Sequence, residues 1–79
     1  MAAIDNLSAT DIQNLEDAKE MVTHDLINKL DYGKEIILND SFRLYHYIEE
    51  EIIVIVFTDI WEQILQVMSD DGEITFEVL

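Results

Sequence analysis

Residues 47–57 read YIEEEIIVIVF, three consecutive glutamates set against six consecutive apolar residues. Ionised side chains are almost never buried without a partner, so Glu49, Glu50 and Glu51 are expected where all three reach water, at the tip of a hairpin. Ile52 to Phe57 is then the returning strand. Its side chains alternate between faces, with Ile52, Val54 and Val56 on one and Ile53, Ile55 and Phe57 on the other. A strand that is apolar on both faces belongs in the middle of a sheet.

Working upstream, Phe42, Leu44, His46 and Ile48 alternate with Arg43, Tyr45 and Tyr47, which makes the outgoing strand of that hairpin. Asn39-Asp40-Ser41 is a turn-forming cluster, and Ile36, Ile37 and Leu38 before it form a short first strand. Before Gly33 the period changes. Ile12, Leu15, Ala18, Val22, Leu26 and Leu30 recur every three to four residues, one apolar stripe of a helix of about 22 residues, roughly 33 Å long. Ser8 is placed to cap it, with Asp11 at the third helical position and Leu7 and Ile12 as a hydrophobic staple. Gly33 is placed to end it.

Downstream, Asp59-Ile60-Trp61-Glu62 repeats the pattern of cap plus acid, and Trp61, Ile64, Leu65 and Met68 follow at helical spacing, widened by Ile60 and Val67. A second helix ending at Gly72 is expected. Glu73 to Leu79 then alternates as a last strand, with Ile74, Phe76 and Val78 inward and Glu73, Thr75 and Glu77 outward. These readings predict a single α+β domain over residues 1–79. It has two layers in the order α-β-β-β-α-β, a mostly antiparallel sheet packed with two helices. Two helices must cover a sheet whose middle strand is apolar on both sides. Either one helix packs on each face, or both pack on one and a partner chain closes the other. Tyr45 and Tyr47 share the face that such a partner would use.

Composition narrows the function. Eighteen Asp and Glu face four Lys and Arg, a formal charge of −14 that repels nucleic acid and anionic membranes and attracts basic partners. With 49% apolar residues and no Pro the chain is too rich in a core's material to be disordered. The absence of Cys excludes disulfides and thiolate metal sites. No apolar run approaches the roughly 20 residues of a membrane span. The opening MAAIDNLSATD has no basic region followed by an apolar one, so a cytoplasmic protein is expected.

No catalytic constellation emerges, and no enzyme, cofactor or metal is expected. His24 and His46 form no HExxH-like pair, and Ser8 and Ser41 have no base near them in sequence. Asp70-Asp71-Gly72-Glu73 has a superficial likeness to a calcium loop but lacks alternating ligands over twelve residues and the second helix. Two isolated glycines cannot build a phosphate loop. The carboxylates are the remaining lead. Glu16, Asp17 and Glu20 share the outer face of helix one, Asp11 and Asp25 extend the series, and Glu49, Glu50 and Glu51 add a cluster at the hairpin tip.

In this composition the chain is similar to small acidic inhibitors that occupy nucleic-acid-binding grooves: phage anti-restriction and anti-CRISPR proteins, glycosylase inhibitors and nuclease-immunity proteins. The likeness implies a binding protein that imitates nucleic-acid charge and blocks a basic, nucleic-acid-handling partner. The alternative is a structural or regulatory interaction module, a homodimer or a complex subunit, which uses an apolar sheet face with Tyr45 and Tyr47 and keeps its charge for solubility.

Overall fold

The computed structural model describes residues 3–31 and 33–79. Met1 and Ala2, the head of the N-terminal stretch considered above, lie outside the described residues. A short 3-10 helix, Ala3–Asn6, leads into α1 (Ala9–Met21) and α2 (His24–Lys29). Five strands follow: β1 (Glu35–Ile37), β2 (Phe42–Tyr47), β3 (Ile52–Phe57), β4 (Glu62–Asp70) and β5 (Glu73–Val78). They form one sheet in the order β1-β2-β3-β4-β5, every neighbour antiparallel. The protein is thus α+β with an antiparallel sheet, and Ile52–Phe57 is its middle strand, as the sequence predicts. The order departs from α-β-β-β-α-β: two helices are followed by five strands.

The segment expected to form a second helix is a turn and a strand. Phe57 pairs with Glu62, so residues 58–61 make a four-residue turn, closed by Trp61 at φ 53°. The helical spacing of Trp61, Ile64, Leu65 and Met68 has a physical source in a β-bulge. The register with β3 shifts between Ile55 and Val56, so that Val56 pairs with Gln63 and Ile55 with Leu65, which leaves Ile64 as the extra residue. Ile64 and Leu65 both join the core. Two consecutive inward residues break the period of two and imitate a helical stripe. Gly72 does not end a helix either. Asp71 and Gly72, at φ 49° and 82°, form a two-residue turn between Asp70 and Glu73, the geometry for which Asp-Gly is a favoured pair.

The first helix is also corrected, because it stops after Met21. Val22 and Thr23 are extended, and Thr23 starts α2 by accepting the Leu26 N–H on its Oγ1 at 3.2 Å. β-Branched residues favour this backbone, and a hydroxyl there gives the chain a cap for restarting. α2 ends at Lys29. Gly33, at φ 75°, lies in the link to β1, its N–H bonded to the His46 carbonyl at 2.9 Å. The start of α1 is as expected, with Ser8 Oγ accepting the Asp11 N–H at 3.1 Å. Of the predicted stripe, Leu15, Ala18, Val22 and Leu30 are buried, Leu26 is half-buried, and Ile12 is exposed.

The helices pack on one face of the sheet. Leu15, Ala18, Val22 and Leu30 form a continuous core with Phe42, Leu44, Ile55, Ile64, Leu65 and Val67, joined at its margin by Ile53, Phe57, Ile74 and Phe76. Each fully buried large side chain there contributes about 1.5–3 kcal/mol. A polar clasp fixes α1 to the turn between β1 and β2: Asn39 Nδ2 donates to the Asn14 carbonyl at 2.9 Å, and Asn14 Nδ2 donates to Ser41 Oγ at 3.1 Å. Asn39 Oδ1 accepts the N–H groups of Ser41 and Phe42, so one side chain shapes the turn and docks the helix.

Candidate protein-interaction surface

The other face of the sheet has no helix on it. Register places Arg43, Tyr45 and Tyr47 beside Val56, Val54 and Ile52, with Glu35 and Ile37 of β1 on one flank. Gln63 and Gln66 of β4 lie on the other side, followed by Thr75 and Glu77 of β5. At the centre Val54 and Val56 are fully buried although they stand outside the main core. Long neighbours on the same face bury them. Tyr45 packs edge-on against Tyr47 at 4.6 Å between ring centroids and against Trp61 at 5.6 Å. Arg43 Cζ lies 5.9 Å from the Trp61 centroid while its Nη1 pairs with Glu35. Trp61 remains 42% exposed and Ile37 62% exposed, so the patch is capped by side chains but not by structure. Among the described residues no cavity opens on it or elsewhere.

The expected contact residues do not converge on one surface. Tyr45 and Tyr47 are on the uncovered face. Asp11, Glu16, Asp17 and Glu20 sit on α1 and Asp25 on α2, in the opposite layer. The break at Val22 shortens the acidic ladder: α1 has 13 residues, about 20 Å, not roughly 33 Å. Lys19 stands among its carboxylates and pairs with Glu16 at 3.1 Å, and Asp17 accepts from Gln13 Nε2 at 3.2 Å. The run of charge envisaged along helix one is therefore interrupted.

Charge gathers instead at one end of the sheet. The turn of residues 48–51 lies at the β2–β3 tip, as expected, and exposes Glu49, Glu50 and Glu51. The antiparallel order brings the β4–β5 turn to the same end, with Asp70, Asp71 and Glu73 exposed. Among the described residues none of these six takes part in an ion pair. Spacing along the chain gives no sign of this grouping while residues 59–72 read as helix. The same misreading assigns Trp61 to a helix core. Asp71-Gly72 between two alternating stretches is the signal that would have found both.

The histidines have structural surroundings. His24 Nε2 is 2.8 Å from the Gly72 carbonyl, and His46, inward on β2, has Nδ1 3.5 Å from the Leu30 carbonyl. Among the described residues no group of three or more metal-ligating side chains gathers, and no helix is long and apolar enough to cross a membrane. Compared with protein-family models, curated proteins and solved structures, the chain finds no match.

Proposed function

We propose that this chain is a small acidic binding protein that captures a basic, nucleic-acid-handling protein. The observation that carries the reading is the one-sided packing: both helices lie on one face, leaving the other with Tyr45, Tyr47 and Trp61 at its centre and unpaired carboxylates at its end. Aromatic residues over a desolvated centre, with charge at the rim, are the anatomy of a protein contact. Carboxylates that steer a partner and then pair with the Arg and Lys that otherwise hold phosphates would displace nucleic acid from it. The mechanism is that of an anti-restriction, anti-CRISPR or nuclease-immunity inhibitor. It differs from the expectation above in using the sheet end before the helix.

The test compares two triple reversals to Lys, one of Glu49, Glu50 and Glu51 and one of Glu16, Asp17 and Glu20, in capture of basic proteins at low salt followed by competition with nucleic acid. The reading requires that the sheet-end triple slow association, that high salt weaken the complex, and that the captured protein lose its nucleic acid. The second reading, an interaction module or homodimer, is favoured by the aromatic cluster taken alone. It prevails if association ignores both triples and salt but is abolished by Tyr45→Ala with Trp61→Ala.

A further inference from the structure

The sheet has two edges of different character. β1 is three residues long and follows Lys34, a short and charged edge of the kind that resists pairing. β5 is six residues with no bulge against β4, no Pro and no Lys. The Leu79 N–H donates to the Ile64 carbonyl at 3.0 Å, which sets the phase of the ladder: Glu73, Thr75, Glu77 and Leu79 turn their backbone groups to β4. Ile74, Phe76 and Val78 therefore turn theirs outward. Among the described residues no further strand or loop pairs with them.

We propose that β5 is a strand-accepting edge, and that its occupant is an extended basic segment of the partner protein with Lys or Arg at alternate positions. The proposal rests on the reading of a basic partner and says how that partner is held. Three outward N–H and C=O pairs supply the main-chain bonds of an added sixth strand, and side chains supply the choice. Glu73 and Glu77 stand exposed on the uncovered face of the edge, opposite Asp70 and Gln66, with no cation in the neighbouring strand to meet them. A basic residue on the incoming strand would lie beside each. Its alternate residues would extend the opposite face next to Ile74 and Phe76, which are half-buried, and Val78, which is 50% exposed, so apolar side chains suit them. A second copy fits poorly. Pairing β5 with its own image brings four carboxylates onto one face with no countercharge, which disfavours the pair.

The experiment follows the backbone amides of the intact protein by NMR while a capped peptide alternating valine and lysine is added. A valine and glutamate peptide serves as the control. The expected result is that the lysine peptide alone binds, that the Ile74, Phe76 and Val78 amides become protected from exchange, and that salt weakens the effect. Glu73→Lys with Glu77→Lys should lower affinity for the lysine peptide by roughly tenfold or more and transfer the preference to the glutamate peptide. Val78→Pro removes one outward N–H and leaves the bonds to β4, so it should abolish binding. Should that variant unfold, the charge reversal still decides. Lysine peptide that binds but protects none of the three amides overturns the edge and leaves the basic-partner reading standing. Equal protection by both peptides overturns the choice of a basic occupant and that reading together. No binding by either peptide, or a β5-to-β5 dimer in sedimentation, overturns the proposal.

Discussion

The two faces of the sheet are made from the same strands and buried by different means. On the helix side Ile55 is covered by a core that reaches from α1 to β5, while Val54, its neighbour in sequence, is equally inaccessible beneath Tyr45 and the side chains around it. The first kind of burial belongs to the fold. The second depends on side chains that nothing overlies, and Trp61 sits in a turn at a left-handed φ of 53°, unfavourable for a bulky residue. The single indole of the chain lies against Tyr45 and Arg43 on this face and stays 42% exposed, and it is on this feature that the proposed contact is placed.

Adjacent substitutions are the strongest way to break this comparison. Ile55→Ala is expected to lower unfolding free energy by about 2–5 kcal/mol through lost transfer energy and a cavity the packed layers cannot close. Val54→Ala loses two methyl groups and should cost about 1.5 kcal/mol, since the overlying side chains can settle into the space. Urea unfolding of both variants measures the difference. Equal losses would mean that the uncovered face is as rigidly built as the covered one.

Trp61→Ala comes next. Its contacts with Tyr45 and Arg43 amount to about 0.5–1.5 kcal/mol, and stability should fall by no more than that. Partner affinity should fall further, because a central aromatic in a contact carries a disproportionate share of binding. A variant that loses stability but binds as before would make Trp61 a structural cap only.

How far the sequence announces these features depends on how local their causes are. The hairpin from Phe42 to Phe57 is legible because alternation in its first strand, an unbroken apolar run in its second and an acidic tip between them are properties of neighbouring residues. The start of α1 is legible for the same reason, with Ser8 and Asp11 three residues apart. Residues 59–68 mislead because a bulge at Ile64 inserts one inward residue into a strand, and a pattern of spacing cannot separate that from a helical turn. The break after Met21 is hidden because the apolar stripe continues across it: Leu26 in α2 and Leu30 just past its end still pack in or against the core. Of the site, Tyr45 and Tyr47 are visible as one strand face, whereas Trp61 and the acidic turn 71–72 belong to the site only once β4 is a strand.

The charged surfaces offer a smaller test of the same contrast. Reversing Glu16, Asp17 and Glu20, or Glu49, Glu50 and Glu51, should alter stability by about 0.5 kcal/mol or less per site, since all six side chains are exposed. Thermal unfolding in low salt reads the difference. The sheet-end triple should be the more stabilising of the two, because it removes repulsion among carboxylates that lack cations, whereas the helix triple gives up the pair between Glu16 and Lys19. A stabler helix triple would place the main repulsion on α1.

A last pair of substitutions concerns the turn on which both the acidic end and the proposed strand-accepting edge depend. Asp71 and Gly72 occupy the two positive-φ positions of the β4–β5 hairpin, at 49° and 82°. A β-carbon at Gly72 would meet nothing within 4 Å, so Gly72→Ala isolates the backbone cost, about 1 kcal/mol. Asp71→Asn works in the other direction. Asn tolerates the left-handed region better than most residues and Asn-Gly is the strongest pair for this turn, while the change also removes one carboxylate from beside Asp70 and Glu73. It should gain about 0.5 kcal/mol, seen as a higher urea midpoint with an unchanged slope. Because the gain comes from a turn and leaves Glu73 and Glu77 in place, affinity for a basic strand at β5 should fall only by the single lost charge. A larger fall would assign the recognition to the end of the sheet, and no fall at all would assign it to the edge alone.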